Sequence, residues 1–339
     1  MTGLHEPGET PQRLGFAVKV VGQPDLPAND ARRWQNEPHL RVSLQYLDAI
    51  FDYLERVGIR MYRMSSDLAP YVTHPEMPQF HRQIDECADE LARLGARARA
   101  QGLRLSFHPS QYILLNSPDE TLVAKSIADL TAQGEMLDHM QLDDEAVLVT
   151  HVGGVYGDPR ASRERWARTW ETLPEALRRR LVLENDDTRF TIDDALWIHE
   201  RTGVPVVFDY LHHWCLHTGQ RSAIDGLQAS LATWPAGRRP KIHFSSPRTE
   251  NRLVERRNRA TGKNEKVSAP PIWSGHADYI NPFEYITFLR AASALRPFDV
   301  MLECKLKDVA LLRLRSDLQR YGPDVAQRFG LTEAALAAT

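Results

Sequence analysis

The chain has few cysteines, and they lie far apart. Its 339 residues include three, Cys87, Cys215 and Cys304, and no two of them form a CxxC pair. Small secreted scaffolds need closely spaced cysteines to form their disulfide framework. The spacing therefore excludes a disulfide-stapled scaffold and favours a protein of the reducing cytoplasm.

The sequence also lacks long apolar runs and a large excess of charge. No run is long enough to span a bilayer, and the first residues, MTGLHEPGETPQ, are too polar for a secretory signal. The formal net charge of −3 excludes a protein that is basic over its whole surface. A local basic groove stays possible, because steering depends on where the charges lie. We expect a cytoplasmic protein without a membrane partner.

The chain does contain a regular alternation of short apolar runs and longer amphipathic segments. The predicted strands lie near residues 13–20, 59–65, 103–109, 146–153, 181–186, 205–211, 241–246 and 299–304. The predicted helices lie near residues 41–57, 80–101, 119–139, 160–179, 191–201, 221–232, 282–295 and 306–321. About eight strand–helix units in unbroken alternation favour a closed (β/α)8 TIM barrel, with an open doubly wound sheet as the competing arrangement.

The alternation assigns residues 13–325 to a single barrel domain, with residues 1–12 and 326–339 as tails. One basic insertion, residues 247–272, carries seven Lys and Arg residues against three acidic residues. It follows the seventh predicted strand, so a barrel would place it at the carboxyl end of the strands. We expect either a mobile charged loop or an arm that binds the phosphates of a polyanion.

Histidines and carboxylates recur at the far ends of the predicted strands. The runs LRLSFHP, VLVTHVGG, LVLEND, VVFDYLHH, KIHFSS and DVMLECK end in His108, His151, Glu184, Asp209, His212, His243 and Glu303. Taken singly, each has a structural explanation, such as a hydrogen-bonded core histidine or a helix-capping turn. Together they suggest a metal site, because these side chains bind zinc, manganese or iron and a barrel gathers its strand ends on one face.

Further histidines in loops, His74 and His276, bring the candidate ligands to nine. Nine are too many for one ion and enough for two or three. Sites with several metal ions catalyse in-line displacement at phosphorus, which favours phosphodiester hydrolysis over single-metal chemistry.

The motifs LAPYVTHP, LSFHPSQY, VTHVGG, LENDD, FDYLHH, KIHFSS, GHAD and MLECK follow one another in this order. This series resembles the UV damage endonucleases, TIM-barrel DNA repair enzymes that are distantly similar to endonuclease IV. The likeness extends from about residue 13 to residue 310. It implies a metal-dependent nick of damaged double-stranded DNA, immediately 5′ of cyclobutane pyrimidine dimers and 6-4 products. It also implies two or three divalent metal ions, with Mn2+ preferred and Zn2+ possible.

The same resemblance assigns residues to roles. The implied metal ligands are His74, His108, His151, Glu184, Asp209, His212, His243, His276 and Glu303. Glu184 would bridge two ions and act in catalysis, and Lys241 would help to position the attacked phosphate. Gln111 and Tyr112 would probe the duplex at the lesion, although the residues alone also allow Tyr112 to pack under its loop.

The chain departs from the family at Phe16 and Val20, where a Tyr and an Asn are common, so we expect weaker contact with DNA on that side. Two alternatives stay open, an abasic-site endonuclease of the endonuclease IV type and a metal-dependent sugar isomerase-type barrel. The HPSQY motif, and Ser274 where endonuclease IV has an Asp, disfavour the first. The excess of ligands and the basic insertion disfavour the second. We expect a monomer without an obligate protein partner.

Overall fold

Eight short parallel strands form the centre of the protein, as seen in a computed structural model that describes residues 10–331. In chain order, the strands of the protein are β1 (Leu14–Ala17), β2 (Met61–Arg63), β3 (Arg104–Phe107), β4 (Val147–His151), β5 (Leu181–Glu184), β6 (Val206–Val207), β7 (Lys241–Phe244), β8 (Arg252–Arg257), β9 (Asn264–Ala269) and β10 (Asp299–Leu302). The sheet has the order β6-β5-β4-β3-β2-β1-β10-β7, and β8 pairs with β9 in a separate hairpin.

The two end strands of this sheet, β6 and β7, meet just beyond β6. Asp209 forms a parallel β-bridge with His243, and the amide N–H of His243 donates to the carbonyl of Phe208 at 2.9 Å. The sheet therefore closes on itself, which confirms the predicted (β/α)8 barrel. The competing prediction of an open, doubly wound sheet is wrong.

Helices surround the strands and connect one to the next. They are α1 (Leu40–Arg56), α2 (Gln83–Glu86), α3 (Ala88–Ala100), α4 (Glu120–His139), α5 (Pro159–Thr172), α6 (Glu175–Arg180), α7 (Ile192–Thr202), α8 (Tyr210–Cys215), α9 (Ala223–Ala232), α10 (Pro282–Ala291), α11 (Lys307–Tyr321) and α12 (Pro323–Arg328). Short 3-10 helices cover Trp34–Asn36 and Pro78–Phe80. None of the described helices is both long enough and apolar enough to cross a membrane.

Two predicted helices are divided in the structure. The segment predicted at 160–179 separates into α5 and α6 because Pro174 lacks an amide proton and holds Leu173 in an extended conformation, with ψ 143°. The segment predicted at 80–101 separates into α2 and α3 at Cys87. Helices α8 and α12, of six residues each, are too short to give a helical pattern in the sequence.

The limits of α7 agree with the sequence. The Thr191 hydroxyl accepts a hydrogen bond from the Asp194 amide at 3.3 Å, and the Asp194 carboxylate accepts one from the Thr191 amide at 2.8 Å. This capping box satisfies amide groups that have no partner in the first turn. The helix ends at Gly203, whose φ of 75° suits glycine.

Alternate residues of each strand face the barrel interior. These interior-facing residues line the barrel beneath the carboxyl ends of the strands. Val149 of β4 and Val182 of β5 belong to a buried apolar cluster on the same strand faces as His151 and Glu184. The fully buried core therefore supports the polar strand ends from beneath.

The structure can be compared with the predicted domain limits at two places, the basic insertion and the C-terminal end of the barrel domain. The basic insertion contains the β8–β9 hairpin, so it is not wholly irregular. Helix α12 crosses residue 325, where we predict the barrel domain to end, and Ala326 and Phe329 are buried. Of the predicted tails, residues 1–9 and 332–339 lie outside the described part of the chain.

Candidate metal centre

Glu184, the last residue of β5, lies at the centre of a group of histidines. Its side chain is fully buried, and its Oε1 atom accepts a hydrogen bond from Nδ1 of His243 at 2.9 Å. Its Oε2 atom lies 3.0 Å from Nε2 of His108 and 3.7 Å from Nε2 of His151. The ring of His212 approaches Oε1 to 3.5 Å. Side chains from β4, β5 and β7 and from the segments after β3 and β6 therefore converge on one carboxylate.

A second group of potential ligand atoms overlaps the first. One ligand atom each from Glu184, Asp209, His243 and Glu303 lies within 4.8 Å of the others. Glu303 approaches Nδ1 of His243 to 3.4 Å and Nε2 of His276 to 3.9 Å. The structure thus brings together eight of the nine predicted ligands, which we call the ligand cluster: His108, His151, Glu184, Asp209, His212, His243, His276 and Glu303.

The local fold fixes the positions of Asp209 and His212. Asp209 caps the short helix α8, and its carboxylate accepts a hydrogen bond from the His212 amide at 2.7 Å. The buried side chain of Asn185 donates to the Asp209 carbonyl at 3.1 Å and accepts from the Asp209 amide at 2.8 Å. This role of Asn185 was not predicted, although the residue directly follows Glu184 in the LENDD motif.

His74 lies in a neighbouring cavity. It is half-buried and lines a space of about 330 Å³ together with Lys125 and Asp129. Ser110 lines both this space and a second cavity, of about 240 Å³, that is lined by His108 and His151 of the ligand cluster. Within residues 10–331, His74 is not part of either group of potential ligand atoms. Its role as a ligand stays a prediction.

Burial and neighbouring charges shift the pKa values of the buried acids. Burial raises the pKa of Glu184, but the adjacent His243 and His151 outweigh this effect and hold it well below its usual value. Burial raises the pKa of Asp209 to about 7, although the neighbouring His212 opposes the shift. The two carboxyl groups therefore differ in how readily they ionise.

The histidines of the ligand cluster differ in the same way. Burial lowers the pKa of His243 to about 4, so this ring is neutral near pH 7. Burial also lowers the pKa of His151. For His212, burial has the same direction, but the carboxylates of Asp209 and Glu184 raise its pKa to about 10. Near pH 7, His243 is thus neutral, the form in which an imidazole can bind a metal ion, whereas His212 carries a proton.

Two basic side chains lie next to the ligand cluster. Arg63, at the end of β2, forms an ion pair with Glu303. Burial raises the pKa of Glu303, but Arg63 and His243 outweigh this effect and hold it well below its usual value. Arg63 was not predicted, although it is a polar residue at the end of an apolar strand, which is the signal that indicated the candidate ligands.

Lys241 is fully buried, and its amine donates a hydrogen bond to the Ser106 hydroxyl of β3 at 2.9 Å. Burial and the nearby charges of Arg104 and Arg63 lower the pKa of Lys241 well below its usual value. It belongs to the same strand as His243, two residues away, and therefore faces the same side. Its contact with a phosphate stays a prediction.

Several buried polar atoms of the ligand cluster have no hydrogen-bond partner within residues 10–331. They are Oδ2 of Asp209, Nε2 of His243, Nδ1 of His151 and Nδ1 of His276. Leaving such an atom unpaired costs about 1–3 kcal/mol. Carboxylate and imidazole are ligand types for divalent transition metals, and a bound cation would offset both the buried charge and the missing partners. The donor set therefore fits a divalent metal site.

The two predicted lesion probes lie at the opening of this site. Gln111 lines the same cavity of about 240 Å³ as His151 and His212. Tyr112 is 72% exposed, so it does not pack under its loop. Both residues are placed to meet a ligand that enters from solvent, and their role at a lesion stays a prediction.

The two departures from the family pattern are both buried. Phe16 packs edge-to-face on Tyr62 with 5.4 Å between the ring centroids, and Val20 is part of the same core. The chain therefore presents no side-chain hydrogen-bonding group at either position.

The chain is similar in sequence to known proteins. The family model described as UV-endonuclease UvdE matches residues 40–329. A UV DNA damage endonuclease of Bacillus velezensis is 33% identical over 268 residues, which cover 78% of this chain and 77% of the relative. One of Halalkalibacterium halodurans is 34% identical over 266 residues, which cover 78% of this chain and 76% of the relative.

One solved structure agrees with this family, and others share the fold. The crystal structure of SacUVDE superimposes with a TM-score of 0.75 and 29% identity, over 91% of this chain and 98% of that one. An L-ribulose 3-epimerase has a TM-score of 0.54 at 14% identity, over 96% of this chain and 94% of that one, which shows a common barrel fold alone. The family match, the curated relatives and the SacUVDE structure agree, and the chain belongs to the UV-endonuclease UvdE family.

Proposed function

We propose that this protein is a DNA repair endonuclease that nicks duplex DNA immediately 5′ of UV photoproducts, both cyclobutane pyrimidine dimers and 6-4 products. Its membership of the UV-endonuclease family supports the nuclease activity and the DNA substrate. The observation that carries the mechanism is the ligand cluster, in which two buried carboxylates, the half-buried Glu303 and five histidines meet at one end of the barrel. Such a set of side chains is costly to bury without cations.

The ligand cluster would hold two or three divalent metal ions, with Mn2+ as the preferred ion and Zn2+ as the alternative. Glu184 is the best candidate for a shared ligand, because both of its oxygens contact histidines. Asp209, His243 and Glu303 would complete one site with it. When bound, the ions supply Lewis-acid stabilisation of the charge on a phosphate and a water nucleophile at neutral pH.

The protein's own side chains prepare this site before DNA binds. Strand ends and the cap of α8 hold the ligands, so little reorganisation is needed during the reaction. The Arg63 guanidinium keeps Glu303 ionised, and burial keeps His243 neutral. The exposed Arg189 lines the same cavity as Gln111 and offers a positive charge to a DNA phosphate at the entrance.

Recognition of damage would fall to the loop between β3 and α4. Tyr112 exposes its ring to solvent, and Gln111 lies beside it over the cavity. An aromatic ring can occupy a gap in the base stack, and an amide can hydrogen-bond to exposed base edges. A weakened, lesion-containing step costs less to open than intact DNA, which would give preference for damage.

A nicking assay on three duplexes tests this function. UV-irradiated, abasic and undamaged duplexes are incubated with the purified protein, with and without Mn2+. We expect cleavage of the irradiated duplex alone, and only with metal. Cleavage of the abasic duplex alone would show an abasic-site endonuclease, and aldose turnover without any nicking would show a sugar isomerase; either result contradicts the proposal.

A further inference from the structure

A two-stranded antiparallel ribbon projects from the loop that holds His276. We call residues 252–269 the basic ribbon; its strands pair from Arg252 opposite Ala269 to Arg257 opposite Asn264. Its base is fixed where Pro247 forms a β-bridge with His276 and where the Arg248 amide donates to the Gly275 carbonyl at 2.7 Å. The ribbon therefore leaves the barrel at the end where the ligand cluster lies.

The charges of the basic ribbon are available to a ligand. Five cations of the ribbon are exposed: Arg256, Arg257, Arg259, Lys263 and Lys266. The ion pairs that the described residues show in this stretch are those of Arg248 at its base, 3.7 Å from Glu250 and 3.8 Å from Asp278. Exposed arginines elsewhere are often paired, as Arg41 is with Glu90 at 2.7 Å.

The basic ribbon contributes little to the barrel. Among the described helices and strands, β8 and β9 pack mainly against each other. Leu253, the second residue of β8, is 75% exposed. A lone two-stranded hairpin is only marginally stable in water, so a ligand that binds along it would also stabilise it.

We propose that the basic ribbon is a second DNA contact, which lies along the duplex outside the lesion and binds backbone phosphates without reading the sequence. The inference rests on the endonuclease function proposed above. The major groove of B-DNA admits a two-stranded ribbon. A strand of six residues, as in β8, extends about 20 Å, which corresponds to about six base pairs. An acidic protein would also attract these charges, but the position beside the ligand cluster favours DNA.

The test compares two sets of three arginines. The ribbon variant is R256Q/R257Q/R259Q, and the control is R160Q/R168Q/R201Q, whose arginines are also exposed but belong to α5 and α7. Binding of undamaged duplex is measured by fluorescence anisotropy over a series of salt concentrations. We expect the ribbon variant to bind about tenfold or more weakly at low salt and to lower the salt slope by about two to three units, since each lost phosphate contact removes about 0.9.

A lysine variant tests whether DNA binding by the ribbon depends on its positive charge. The variant R256K/R257K/R259K should bind like the wild type, because a phosphate contact of this kind needs positive charge. On irradiated duplex, the glutamine variant should raise KM and leave kcat unchanged, because the ribbon does not contact the reacting atoms. An unchanged salt slope, or an equal loss in the control variant, would overturn the proposal. Failure of the wild type to nick irradiated DNA would contradict the proposed function instead.

The length of the duplex provides an independent measurement. Duplexes with a single cyclobutane dimer are shortened stepwise on either side, and KM for nicking is measured for each. For the wild type, we expect KM to rise when one side loses the last six or so base pairs that the ribbon covers. The ribbon variant should not respond to that shortening. If both proteins respond alike, the ribbon does not bind that DNA.

Discussion

Metal binding should displace a proton from His212, and its affinity should therefore depend on pH. In the metal-free protein, Asp209 and Glu184 raise the pKa of His212 to about 10, so this ring is protonated at pH 7.5. An ion that binds His212 must remove that proton at a cost of about 3 kcal/mol, taking about 1.4 kcal/mol for each pH unit below the pKa. Affinity should rise about tenfold for each pH unit between 7.5 and 9.

The assay is calorimetric titration of the metal-free protein with Mn2+ in buffers of different ionisation enthalpy. At pH 8, we expect release of about one proton, because His243 is already neutral and Asp209, with its pKa of about 7, is mostly ionised. Below pH 7, release should increase as Asp209 becomes protonated. His212→Gln should lose the release at pH 8, whereas His217→Gln, at an exposed histidine just after α8, should not. A pH-independent affinity without proton release would refute the reasoning.

Further predictions concern the site and its probes. Glu184→Gln or His243→Ala should lower nicking by at least about 100-fold while DNA binding changes little, because both are central to the ligand cluster; wild-type turnover in either variant would remove that residue from the site. The double variant Gln111→Ala with Tyr112→Ala should reduce the preference for damaged over intact duplex by about 5- to 150-fold, the range expected for loss of one stacking contact. An unchanged ratio of affinities would exclude both as probes. Removal of metal with EDTA should lower the Tm in calorimetry by a few degrees, since ions that bind only the folded protein stabilise it; an equal Tm with and without Mn2+ would argue against a bound ion.

The sequence predicts the barrel well because its information is local. Each strand is a short apolar run, and the alternation with amphipathic segments requires no knowledge of distant contacts. The convergence of the candidate ligands at the strand ends could be predicted for the same reason, since parallel strands in a barrel end on one face. Thr191 and Gly203, at the limits of α7, follow from capping chemistry that involves only near neighbours.

What the sequence could not predict depends on distant partners or on short segments. Arg63 acquires its role only because Glu303, 240 residues away, lies beside it. Asn185 matters because its amide holds the backbone of Asp209. The β8–β9 hairpin was not predicted because its charged residues obscure the strand alternation. His74, in a loop, could not be placed relative to the strand ends.

The contact between β6 and β7 that closes the barrel has a consequence for the whole molecule. Strand β6 has only two residues, and the cylinder is completed by the hydrogen bond from the His243 amide to the Phe208 carbonyl. Asp209 and His243, which form the β-bridge at this contact, are also candidate ligands of the same ion. The contacts that close the barrel therefore also fix the spacing of two candidate ligands, so a change that separates β6 from β7 should lower nicking even if every candidate ligand side chain were intact.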